Sequence, residues 1–254
     1  MIKKSPVLLI AGALSLFAGI GVYVVGPIAQ DMGYHLFRDQ RHWGPFPNAW
    51  NVLSNIPFLV VAVVGLVAIG QWRLVVVRRL RWLYGVFFAA VALVALGSSY
   101  YHWSPGNDTL LWDRLPMSVA FMALFSVIIA EYVSISWARK LAIPLMGLGI
   151  GSVLYWFVSE SHGQGDLRLY ALVQFLLLLW IPVFLGCFSS KFTHSYGYWG
   201  VLVAYVVSKL CEYLDAEIYA LGLGVSGHAL KHVVVALGLV CLLWMYHRRK
   251  VLSV

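Results

Sequence analysis

The sequence is a succession of long apolar runs, with nearly all charged residues confined to the connections between them. A helix needs about 20 such residues to cross a hydrocarbon core of about 30 Å. Backbone groups left unsatisfied outside a helix or a closed barrel cannot remain there. Eight runs are therefore predicted as membrane-spanning helices: about Pro6 to Ile28, Asn51 to Gly70, Leu83 to Trp103, Pro116 to Val133, Leu141 to Val158, Leu169 to Phe188, Tyr198 to Leu214 and His228 to Tyr246. With 61% hydrophobic and 11% charged residues among 254, the composition excludes a water-soluble domain. The expected fold class is all-α, a polytopic transmembrane helical bundle. The first run exceeds the 7 to 15 apolar residues of a signal peptide and is read as an uncleaved helix.

The positions of the cations give a topology. Lys3, Lys4, Arg73, Arg78, Arg79, Arg81, Arg139, Lys140, Lys191, Arg248, Arg249 and Lys250 fall on alternate connections and the two ends, and these stretches carry no acid. The other connections hold Arg38, Arg41, Arg114 and Arg168 beside most of the carboxylates. Cytoplasmic loops retain lysine and arginine, so both termini are expected in the cytoplasm. The formal charge of +8 is then a topology signal that also suits anionic headgroups, and nucleic acid is not an expected partner. Cys187, Cys211 and Cys241 lie in apolar segments without paired or metal-like spacing and are read as core residues.

This alternation places three polar clusters at one side of the membrane. Ser98 and His102 end the third helix, Asp113 stands at the start of the fourth, and His228 and His232 open the last. Residues four apart share a helix face, so both imidazoles of HALKH can reach one ion, and His102 can supply a third nitrogen. Three histidines with an open position fit the ligand set of a catalytic zinc site. Asp113 then stands where a proton must be taken from water whose pKa the ion lowers toward about 7. Ser98, one turn before His102, can donate to a developing oxyanion or touch the metal. Isolated histidines at helix starts also serve as interfacial or carbonyl-bonded groups, and spacing alone leaves both readings open. Ionisable groups at membrane depth are costly, which favours a functional role.

The order S-x3-H, an aspartate eleven residues after that histidine, and a C-terminal H-x3-H resembles the signature of the alkaline ceramidase family of the CREST group of membrane hydrolases. The runs FRDQRHWGPFPNAWNVLSNIPFL, GSSYYHWSPGNDTLLWDRLPM, GQGDLRLYALVQF and VSGHALKH are similar to those of its bacterial members. The resemblance covers residues 31–254 and implies a seven-helix core there, with residues 1–30 an additional N-terminal transmembrane helix. It implies Zn2+ held by His102, His228 and His232, with Asp113 and Ser98 catalytic. The activity implied is hydrolysis of the amide of ceramide-like N-acyl sphingoid lipids, in the inner membrane of a bacterial cell, with the site toward the outer, periplasmic side. The family's eukaryotic members carry an acidic, calcium-binding segment before the first core helix. Here Asn48 takes the place of its last glutamate and only Asp39 nearby is acidic, so calcium is not expected. Two other functions fit the same residues: a non-enzymatic seven-helix receptor or regulator with a structural zinc site, and a haem-binding electron carrier using His102 with His228 or His232 as axial ligands.

Other polar residues receive structural readings first. Asp39, Asn48, Asn51 and Asn55 are expected as loop or capping residues that could also tie the loop to the site. Lys209 and Glu212 are expected to pair on one helix face, and Lys231, about 100° around the helix from its flanking histidines, is not a ligand. Glu131 is expected at the interface, Glu160, Asp166 and Arg168 in a solvated loop, and Tyr100, Tyr101, Trp103 and Trp112 in an interfacial belt.

Overall fold

The computed structural model describes residues 4–252; Lys3, one of the charges behind the topology argument, lies outside them. The described residues form no strand and build eight long helices. These are α1 (Lys4–Val25), α2 (Ala49–Gly70, turning at Ser54 and Asn55), α3 (Arg81–Trp103), α4 (Asn107–Ile128), α5 (Ile135–Ser161), α6 (Arg168–Cys187), α7 (Tyr196–Tyr213) and α8 (Gly227–Arg248). All but α7 are long and apolar enough to cross a bilayer, which makes the chain a multi-pass membrane protein. The less apolar α7, with glycine, tyrosine, Lys209 and Glu212 in its 18 residues, packs along α8.

Two helices begin more than a turn before their apolar runs. α4 starts at Asn107 rather than Pro116, because its first turns are helical although polar residues interrupt them, and Asp108 there suits the positive end of the helix dipole. Asp113 consequently sits within α4 rather than at its start. Pro116 has no N–H to give the carbonyl of Trp112 one turn back. Gly97 of α3 packs on that carbonyl so closely that any Cβ would overlap it. Helix breaker and glycine together set the close approach of α3 to α4. α5 begins at Ile135, where the Ser134 hydroxyl accepts a hydrogen bond from the Trp137 N–H.

Helices α2, α3, α4, α6, α7 and α8 follow one another around a ring that closes from α8 to α2. The ring is open at one place, since α6 and α7 do not pack along each other. α5 lies outside against α4 and α6, and α1 docks chiefly on α6, leaving Phe17 and Tyr23 at least three-quarters exposed to the surroundings. Trp180 donates to the Ser15 hydroxyl at 2.8 Å to hold that contact. The three cysteines are unpaired and buried or half-buried within helices.

At the end of the bundle away from the histidines, Glu131 is fully buried rather than interfacial. A π-turn over Ile129–Val133 widens α4 there. Both terminal nitrogens of Arg249 donate to its carboxylate at 2.8 and 2.7 Å, and Tyr84 adds a third hydrogen bond at 2.5 Å. Arg249 Nε also donates to the Val75 carbonyl at 2.7 Å. One buried pair thus joins α3, α4, the connection before α3 and the C-terminal tail. Removing one member of such a pair strands the other charge, at a cost of about 3–5 kcal/mol, whereas replacing both with apolar residues of like volume is close to neutral. Glu131→Leu and Arg249→Met should each lower the unfolding midpoint in detergent strongly, and the double variant should recover most of the loss.

Candidate metal centre

The histidine end of the bundle is built by sequence choices that let backbones meet. Gly227 begins α8 against the Cys211 carbonyl of α7, where a side chain could not fit. Ser226 caps α8 by accepting from the Ala229 N–H, and Asp215 accepts from the His228 N–H at 2.7 Å. With the first turn of α8 fixed, His228 and His232 face His102 of α3. The nearest ring nitrogens of the three lie within 4.8 Å of one another, and all three side chains are buried.

Their hydrogen bonding is that of ligands rather than of satisfied core histidines. Neither ring nitrogen of His102 has a partner, and Nε2 of His228 has none. Buried polar atoms are otherwise paired almost without exception. Ser54 donates its hydroxyl to the Asn51 carbonyl at 3.0 Å and shares a 2.7 Å hydrogen bond with His232 Nδ1. With its proton committed, the hydroxyl accepts from Nδ1–H, which leaves the lone pair of His232 Nε2 free. An outer partner on the second nitrogen is the usual way a ligating histidine is oriented. The donor set therefore fits a metal ion.

Ser98, Asp113 and His232 line one cavity of about 270 Å³ inside the helix ring. Asp113 is half-buried, and the Ser98 side chain stands beside it in the cavity wall. The five residues singled out in the sequence are thus in one place, with Asp113 beside the histidines and outside the ligand group. The cavity reaches the seam between α6 and α7, where Gln174, Tyr205 and Ser208 form its wall.

The segment before α2 covers the histidines. Phe37 lies against His102 and His228, with ring centroids 4.8 and 4.6 Å apart. Asn48 adopts the left-handed conformation that asparagine tolerates, and its amide donates to the free carbonyl of His102 at 2.9 Å. Neither Asn48 nor Asn55 caps a helix with its side chain, contrary to the capping reading. Asp39 is buried and takes both Nε and Nη2 of Arg41, which also reaches the Gly224 carbonyl. Burial raises the pKa of the Asp39 carboxyl, but the Arg41 guanidinium outweighs that and holds it below the ordinary value.

Two further readings change. Tyr101 is buried, not in an interfacial belt, and its hydroxyl shares a 2.9 Å hydrogen bond with His35. Asp166 is buried rather than solvated. Its paired guanidinium, Arg168, holds its carboxyl down to about 2. Glu160 accepts from the backbone N–H of Gln30 and from Trp156. Lys209 pairs with Glu212 as expected, and Lys231 pairs with the same carboxylate. Ser54 and Phe37 were not singled out by sequence; only the adjacent asparagines of NVLSN hinted at the former. No known protein family matches this chain, and no curated protein does.

Proposed function

We propose that this chain is a zinc-dependent membrane amidase that hydrolyses ceramide-like N-acyl sphingoid lipids to a fatty acid and a sphingoid base. The observation that carries this reading is a trio of buried histidines with free ring nitrogens beside a cavity shared with a carboxylate. When bound, zinc supplies a Lewis acid for the amide carbonyl and makes water a nucleophile near neutral pH. His102, His228 and His232 hold it, with Ser54 fixing the tautomer of His232. Asp113 takes the proton from water and returns it to the departing nitrogen. Ser98, beside that carboxylate in the cavity wall, lends its hydroxyl to the reacting oxygen. Phe37 excludes water from above, while the seam between α6 and α7 admits a lipid from the side. The balance is one amide and one water consumed for one carboxylate and one ammonium. On the charge pattern, the protein lies in the inner membrane of a bacterial cell with both termini cytoplasmic and the site toward the periplasm.

The test is to incubate the purified, zinc-replete protein with ceramide in mixed micelles and follow products by mass spectrometry. Equal release of fatty acid and sphingoid base is expected. A zinc-replete protein that hydrolyses no N-acyl lipid favours the receptor alternative. A Soret band in the purified protein favours the haem carrier.

A further inference from the structure

The two ends of the cavity differ in chemistry. From Ser98 inward its wall is apolar, with Phe87, Val91, Val94, Leu124, Val235 and Leu239. The eleven helical rises of α3 between Ser98 and Phe87 give it a depth of about 16 Å, which suits an acyl chain. An amide held at the histidines then leaves its amine side at the other end, where the charged residues are. There the wall carries three cations, Arg114, Lys209 and Lys231, against two carboxylates, Asp113 and Glu212.

The pairing within this set is uneven. Glu212 takes both lysines. Arg114, only 7% exposed, forms no ion pair among the described residues. One of its terminal nitrogens donates to the Gln30 side-chain carbonyl at 2.6 Å, the other has no hydrogen-bond partner, and the guanidinium lies 4.2 Å from the Trp156 ring centroid. A buried guanidinium without a carboxylate is costly. Its planar fork is the group best matched to a carboxylate or phosphate.

We infer that Arg114 is a specificity residue that favours, over neutral lipids such as ceramide, N-acyl lipids bearing an anionic group on the amine side of the amide. This rests on the amidase reading for the identity of the bond, but recognition itself needs no turnover. Asp113 and Glu212 oppose a second anion near them, so the anion goes to Arg114, which among the described residues is the cavity cation that forms no ion pair.

N-palmitoylglycine and N-palmitoylethanolamine share the acyl chain and amide and differ in a carboxylate against a hydroxyl. Their affinities are measured on the full chain after chelation of metal, and their kcat/KM values on the zinc-replete protein. The wild type should bind the glycine conjugate about tenfold more tightly. Arg114→Gln should bring the two ligands level, and Arg114→Lys should keep part of the difference. Because the ratio is taken within each variant, partial unfolding does not alter it. Equal affinities in the wild type, or an Arg114→Gln protein that keeps the preference, overturn the inference. Preserved discrimination in binding with no cleavage of either amide leaves the inference standing and removes the amidase reading instead.

Discussion

Alanine in place of His102, His228 or His232 is expected to strip the metal and the activity together. Elemental analysis should fall from about one zinc per chain to near zero, because two remaining imidazoles do not make a site of three protein ligands. Amide hydrolysis should fall at least about a thousandfold, since the Lewis acid contributes several kcal/mol to the barrier. The fold should survive. His102 makes no hydrogen bond through its ring, so its removal orphans no partner. Ser54 still has the Asn51 carbonyl to donate to when His232 is gone. Unchanged helical circular dichroism with absent metal is the diagnostic pair of results. A variant that keeps both metal and hydrolysis at the normal rate would remove these residues from the site.

What the sequence revealed follows from which contacts are local. The five residues at the centre of the site are polar groups in otherwise apolar helices, and their cost in that setting makes them visible. The alternation of cations then brings them to one end, and in the structure they meet there. Helix limits were less legible, because an apolar run records where lipid or core is met and not where hydrogen bonding starts. Asn107, Asp108, Thr109, Asp113 and Arg114 are helical but interrupt the apolar run, and so the start of α4 escaped. Partners distant in the chain were not legible at all. Nothing local to Glu131 names Arg249, 118 residues away, and the resulting pair moved that glutamate from the interface to the interior. Lys231 and Glu212 are similarly joined across α7 and α8. Arg114 had been counted only as a loop charge, since its burial depends on Gln30, Trp156 and Tyr170 arriving from three other parts of the chain.

Asp113→Asn separates metal binding from proton transfer, and it should give a protein that holds zinc normally and turns over about 10²–10⁴ times more slowly. Asparagine has the shape of aspartate, so the wall of the cavity is kept. It cannot take a proton. Asp113 lies outside the group of nitrogens that converge on the metal position, so zinc content has no reason to change. Ser98→Ala should cost less, about tenfold, because the carboxylate remains while the reacting oxygen loses one hydroxyl donor in the cavity wall. The order of the two losses carries the argument. A larger loss in Ser98→Ala than in Asp113→Asn would make the hydroxyl the principal group and the carboxylate its support. Loss of zinc in Asp113→Asn would make the aspartate a fourth ligand, closing the position that water needs and turning the centre into a structural one.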